Sequence, residues 1–380
     1  MAVSGETLAI VGIGRTEQGE HPGRTAASLA VEALGEALTD AGISKDQLDG
    51  LITCKQMAGD GNDEIIATTA GIRPRYSTTL DYGTCNFSLH QAQMVLRSGM
   101  ASTIALTYGT NQRTDRFPFA GGRAPGAGSF STPYGFAHIA GQAGMALQRW
   151  RHVYGTTEEE FAHIALSQRE WAQLNPISLF KTPLTMQDYL KQPYLVDPLR
   201  RADITMISDG GVSLIVTTAD RAFDHTDHPI YLAGMAQVGA TGSTFTQDDT
   251  VLREWLGDVG DRVFASAGMD RADMDAVYIQ DPTAVWPLQM LAHLGFQSPQ
   301  DIGPWLAERH TYPGGDLPVN TNGGQLSEAY MWGWLHIFEG VQQLRGAADL
   351  RQIKDARAVI YASTFAFVKA AASILVRNES

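Results

Sequence analysis

The chain of 380 residues is 44% hydrophobic and carries a formal charge of -13 at pH 7. That length and apolar content suffice for a large core, or two, while the acidity argues against nucleic acid or an anionic membrane as the main partner. Cys54 and Cys85 are the only cysteines, too few for a disulfide framework and in keeping with a reducing compartment.

No apolar run reaches membrane-spanning length, and the first fifteen residues lack a basic start followed by an apolar stretch. The expectation is a soluble, cytoplasmic α/β protein. Residues 7–13 read as a short buried strand ended by Gly14. The Gly12-x-Gly14 pair has no third glycine at fingerprint spacing, so a dinucleotide site is rejected. Residues 25–41 predict an amphipathic helix with Leu29, Ala33, Leu34 and Leu38 on one face and Gly42 as its stop. A second strand over residues 48–53 completes a βαβ pattern, which favours a covered, largely parallel sheet.

Residues 78–85 read as a strand turning through Gly83 into a helix that ends at Gly99. A long insertion follows, about residues 111–200. Its glycine-rich run from Gly121 to Ser129 predicts a mobile surface loop. Residues 139–154 read as helix, and Thr156 with Glu159 reads as a capping box opening a further helix to Trp171.

The grammar then repeats. Residues 41–49 resemble residues 267–275 at an offset of 226, and Val95-Leu96-Arg97-Ser98-Gly99 resembles Gln343-Leu344-Arg345-Gly346. Two pairs in the same order suggest a duplicated unit, with a boundary near residue 227 in the polar connection 222–229. Aligning Arg97 with Arg345 sets Tyr82 opposite Tyr330 and Cys85 opposite Gly333.

The most informative run is Asn320-Thr321-Asn322-Gly323-Gly324-Gln325-Leu326-Ser327-Glu328-Ala329-Tyr330. It is a polar, tightly turning loop that leads into an apolar helix pattern, with backbone N–H groups free to meet a ligand. The run resembles the loop carrying the second catalytic motif of the thiolase superfamily, especially its lipid-transfer-protein, or sterol-carrier-like, branch. Residues 154–159, Leu174-Asn175-Pro176, Asp197-Pro198-Leu199 and Ser208-Asp209-Gly210-Gly211 are similar to the same branch, so the resemblance spans essentially the whole chain. It implies a five-layered αβαβα fold of two pseudo-repeated βαβ-type halves, residues 1–227 and 228–380, with a helical insertion that covers the site and shapes an acyl-CoA channel. It also implies a homodimer, and a separate small partner with a zinc ribbon and an OB-fold. Coenzyme A enters as thioester substrate or product, and no metal is expected.

The chain departs from true thiolases where it matters for chemistry. Their Gly-His-Pro stands at Ala329-Tyr330-Met331, so Tyr330 replaces the histidine, and no cysteine occupies the Cys-x-Gly position near residues 361–364. The family's nucleophile position falls on Tyr82 without a gap, or on Cys85 after a three-residue deletion. Of the Asn-Glu-Ala-Phe counterpart only Asp281 offers a carboxylate. The resemblance therefore leans toward the thiolase-like retro-aldolases, which cleave β-hydroxyacyl-CoA side chains of steroids without an acyl-enzyme. It gives Tyr330 the acid/base role, which as a base would require a pKa pulled well below about 10. Asp281 either orients a catalytic group or caps the following helix. Asn320, Asn322, Gly323 and Gly324 are the candidate substrate-binding residues. Two alternatives remain: a thiolase or acyltransferase for aromatic or branched β-ketoacyl-CoA with Cys85 as nucleophile, and a non-catalytic acyl-CoA or lipid-binding subunit. His90 and His336 read as core or surface histidines, and His310 either as an ordinary loop histidine or as one reaching the site from the preceding loop.

Overall fold

A computed structural model describes residues 4–55, 60–81, 84–116, 139–239, 249–365 and 369–377. In chain order the elements are β1 (Leu8–Arg15), α1 (Ala26–Asp40), β2 (Gly50–Cys54), α2 (Asp63–Ala70), β3 (Tyr76–Leu80), α3 (Cys85–Ser98), β4 (Thr103–Thr110), α4 (Ile139–Tyr154), α5 (Glu158–Leu174) and α6 (Met186–Lys191). They continue with β5 (Tyr194–Val196), β6 (Leu199–Arg200), β7 (Gly210–Thr218), β8 (Ile230–Gly239), α7 (Asp249–Ala267), β9 (Ala276–Ile279), α8 (Val285–His293), α9 (Ile302–Ala307), α10 (Gly324–Ser327), α11 (Trp334–Arg345), β10 (Ala358–Phe365) and β11 (Lys369–Arg377).

Nine strands form one mixed sheet in the order β3-β2-β4-β7-β1-β8-β11-β10-β9. From the middle outward, β1-β7-β4-β2 and β8-β11-β10-β9 have the same order, and each contains two antiparallel pairs followed by a parallel one. Among the described residues, Ala9 and Ile10 join the two sets, opposite Tyr231 and Ile230. The duplication continues between the strands. Gly42 and Gly268 both take positive φ (65° and 63°) before matching 3₁₀ turns, Lys45–Gln47 and Arg271–Asp273. Gly99 and Gly346 close α3 and α11 in the left-handed conformation, where a Cβ would be strained.

The layers follow from where the apolar residues fall. Leu89, Val95, Ile337 and Val341 of α3 and α11 share a buried cluster with Leu106, Leu214, Val359 and Leu375, so these two helices lie between the half-sheets. α1 covers the outer face of the first half and α7 that of the second. This is the five-layered thiolase-like fold.

Four expectations need correction. The sheet is mixed rather than largely parallel, because β7 and β11 each pair antiparallel with both of their neighbours. β1 runs through Gly14 to Arg15 rather than stopping there. Gly12 and Gly14 are glycines because α1 lies directly on them: an added Cβ would strike the carbonyls of Ala37 and Ala33. The capping box sits one residue later, Thr157 with Glu160, because Thr156 is buried and accepts the indole N–H of Trp150 at 3.0 Å. Leu38 is only partly buried, since Ala30 and Ala37 supply the contact face. The run Gly121–Ser129 and Tyr82 lie outside the described residues.

Candidate functional site

The loop between Val319 and α11 turns hard. Asn320, Gly323, Gly324, Trp332 and Gly333 all have positive φ, and such strain persists only where the surroundings over-determine it. Asn320 is one anchor. Its amide N–H donates to the Ile279 carbonyl at 2.9 Å and its Oδ1 accepts the Ile279 N–H at 2.7 Å, which clasps the loop to the end of β9. The two glycines make room for their neighbours. A Cβ on Gly323 would lie 2.7 Å from the Ala172 Cβ of α5, and one on Gly324 would collide with Asp281 Oδ2. Of the four candidate binding residues, Asn320 thus holds backbone, the glycines permit close packing, and Asn322 joins the polar network described next.

Asp281 is fully buried at the C-terminal end of β9. Oδ1 accepts the Gln325 N–H at 2.9 Å and Oδ2 the Leu326 N–H at 3.2 Å. It therefore caps the first turn of α10, across the fold, and not the helix that follows it in sequence. His336 Nε2 lies 2.9 Å from the same Oδ1. On the other side of the ring, the Asn322 Nδ2 group donates to His336 Nδ1 at 3.2 Å and to Glu328 Oε2, while Asn322 Oδ1 accepts the Gly324 N–H at 3.3 Å. An amide nitrogen only donates, so Nδ1 is the acceptor and the ring proton sits on Nε2, facing Asp281. Glu328 also accepts from Asn175 Nδ2 at 3.0 Å and stands 3.6 Å from Arg15. Burial pushes its carboxyl up to about 7, against the pull of Arg15 and with a smaller push from Glu339. Beside this chain, Arg351 forms a buried two-point bond to Glu339, at 2.9 Å through each nitrogen.

Tyr330 follows two residues after Glu328. Its backbone is clamped at both ends by one hydroxyl: Ser208 Oγ accepts the Tyr330 N–H at 3.1 Å and donates to the Tyr330 carbonyl at 2.9 Å. The residue lines a cavity of about 460 Å³, together with Arg113, Arg116, Arg201, Thr205, Met206 and Pro282. Burial, with Tyr108 nearby, holds the phenol well above its ordinary pKa. The lowered pKa expected of a tyrosine base is therefore absent, because desolvation disfavours the phenolate. A neutral phenol is a proton and hydrogen-bond donor.

Cys85 opens α3 and is fully buried, with its thiol well above the ordinary range through burial and the nearby Cys54. It packs in the middle layer and does not line the Tyr330 cavity. His310 bonds Asp316 and Glu308 on the outside and does not join the network.

The sequence reading missed His336, Glu328, Asn175, Arg15 and Ser208. His336 carried one usable signal, as a polar residue within an otherwise apolar helical pattern, and Glu328 stood in the polar loop already singled out. Arg15 ends the distant strand β1 and nothing local marks it, whereas Ser208, before β7, lies in a run similar to the family.

Comparison with known proteins agrees with this architecture. Residues 237–377 match the family model "Thiolase C-terminal domain-like". The chain is 34% identical over 358 residues to the 17-hydroxy-3-oxo-4-pregnene-20-carboxyl-CoA lyase of Mycobacterium tuberculosis, covering 90% of this chain and 92% of the relative. It is 32% identical to the steroid side-chain-cleaving aldolase of Thermomonospora curvata, over 92% and 93% of the two chains. The solved Ltp2–ChsH2(DUF35) aldolase superimposes with a TM-score of 0.90 at 29% identity, with full coverage of both chains. Identity at this level along nearly the entire length, on the same duplicated sheet, shows that the chain belongs to the thiolase superfamily, among the side-chain-cleaving acyl-CoA lyases of its sterol-carrier-like branch.

Proposed function

We propose that the protein is an acyl-CoA aldolase that cleaves the Cα–Cβ bond of a bulky β-hydroxyacyl-CoA, such as a steroid side-chain thioester. The observation that carries this reading is the position of Tyr330, a protonated phenol on the wall of an arginine-flanked cavity from which Cys85 is absent. In a retro-aldol step a base removes the β-hydroxyl proton, the carbonyl forms as the Cα–Cβ bond breaks, and the electron pair passes to the thioester enolate. The enolate then takes a proton at Cα. Tyr330 is assigned the donor role toward the enolate, the acid half of the acid/base role expected from sequence. Tyr82 remains the candidate for the hydroxyl proton, on the repeat alignment alone. Asp281 and Asn322 hold the Tyr330 loop, with Asn320, Gly323 and Gly324 as its backbone support. The arginines at the cavity suit the anionic coenzyme A portion.

We also infer that the halves divide near residue 227, that the enzyme acts in the cytoplasm as a homodimer, and that it takes a separate zinc-ribbon/OB-fold partner. The likeness to an aldolase solved with a DUF35 chain supports the last point. The acyltransferase alternative needs a thiolate at Cys85, and desolvation opposes one there.

The test is turnover of β-hydroxyacyl-CoA thioesters, with and without the partner, followed by intact-protein mass spectrometry. Release of a carbonyl product and a shortened acyl-CoA, with no acyl adduct and loss of rate in Tyr330→Phe, is the expected result. An acyl-sized mass gain that disappears in Cys85→Ala would replace this reading with the acyltransferase.

A further inference from the structure

The polar chain behind Tyr330 has an acid at its far end that the retro-aldol chemistry does not use. Glu328 is buried, yet it meets donors on every side: Asn175 from the end of α5, Asn322 from the loop, and Arg15 from β1. Its other charged or titratable neighbours are His336, reached through Asn322, and Glu339, both on α11, and Tyr278 of β9, with Arg351 beyond Glu339.

We propose that Glu328 is a positioning residue that sets, through the orientation of the Asn322 amide, which nitrogens of His336 carry a proton. The consequence for turnover rests on the aldolase reading above; the protonation of His336 does not.

The argument is one of donors and acceptors. An ionised Glu328 can only accept, so Asn322 must turn its NH₂ group toward it. The same NH₂ group reaches His336 Nδ1 at 3.2 Å, and Asn322 Oδ1 is left for the Gly324 N–H. Nδ1 is thereby an acceptor, and Nε2–H donates to Asp281 Oδ1 at 2.9 Å. When Glu328 takes a proton from solvent it becomes a donor toward Asn322. The amide can then turn over, exchanging its Oδ1 bond to the Gly324 N–H for one to the ring, and the ring takes a second proton from solvent on Nδ1. Asp281 loses the neutral Nε2–H partner that accompanies its hold on the first turn of α10. From that turn the chain runs directly through Glu328 to Tyr330. A carboxyl that titrates near neutrality in this place makes the arrangement responsive to pH in the working range.

The experiment is a pH titration of the full chain labelled with ¹⁵N-histidine, with the His336 signals assigned by their loss in His336→Gln. In the wild type the expected result is an unprotonated Nδ1 above pH 7, changing in a step centred near 7 as pH falls. In Glu328→Gln that step is absent. A ring that keeps the neutral Nε2–H form throughout the wild-type titration overturns the proposal, as does a step that persists in Glu328→Gln. The wild-type arm does not use Glu328→Gln, so poor folding of that variant does not shelter the idea.

The kinetic counterpart is an acid limb in kcat near pH 7, lost in Glu328→Gln with KM unchanged. If no thioester turns over, the aldolase reading fails while the histidine titration still decides this one.

Discussion

α3 and α11 hold equivalent places in the two halves of the sheet and have opposite beginnings. At the start of α3, Cys85 is buried, and Asn86 donates across the middle layer to the Tyr361 and Ala371 carbonyls and to Ser363 Oγ. That helix start fastens one half to the other. Before α11 lies the strained loop from Asn320 to Gly333, with Asp281, His336, Asn322 and Glu328 joined beneath it and Tyr330 at the cavity wall. Among the described residues, the scaffold used twice has one helix entrance held by packing and cross-layer hydrogen bonds and one built around a polar network. Duplication supplies position, and the residues around each entrance decide its use.

The largest expected effect falls on the polar entrance. Tyr330→Phe should lower kcat for the hydroxyacyl thioester by about 10²–10⁴-fold, the usual contribution of a positioned acid or base. Its melting temperature should move little, because Ser208 grips backbone that the substitution leaves in place. Equal rates for variant and wild type would remove the distinction between the two entrances.

The next effect is a pH dependence of stability. Burial raises the Glu328 carboxyl from 4.5 to about 7, so the folded state holds this proton more tightly than the unfolded chain does. The stabilisation linked to it is complete below the unfolded value and is lost as pH rises through the folded one. Glu328→Gln lacks this titration. Relative to wild type, the variant should therefore gain on the order of 3 kcal/mol in unfolding free energy between pH 4 and pH 8. Denaturant melts at the two pH values measure it, and a constant difference would count against a carboxyl titrating in this place.

Gly324→Ala tests why the loop carries two glycines. Its φ of 63° and the collision with Asp281 should cost roughly 1–3 kcal/mol and reduce activity as well. A variant as stable as wild type would show that Asp281 is not tightly held. The smallest effect belongs to the packed entrance. Cys85→Ala should destabilise by about 1 kcal/mol and retain aldolase turnover, whereas a complete loss of rate would return the nucleophile role to α3.

Much of the scaffold was legible because it repeats locally. The glycine and 3₁₀-turn pair at residues 42–47 and 268–273, and the closing glycines Gly99 and Gly346, mark equivalent points that a sequence comparison can align. Tyr330 and Asp281 also stood out, each in a run whose neighbours matched a family pattern. The direction of Tyr330's pKa did not, because desolvation depends on what surrounds a side chain in space. For Asp281 the sequence left open an orienting role or a cap on the helix next in sequence; the helix it caps is α10, more than forty residues later.

The sequence alone thus determined the α/β class, the duplication and the loop on which the chemistry is placed, since periodicity, turn residues and short motifs act over a few neighbouring positions. Tertiary structure alone decided which residues meet. Arg15 of β1, Asn175 of α5, Ser208 before β7 and His336 of α11 converge on one loop only after the sheet has formed. Their protonation and hydrogen bonding follow from that burial.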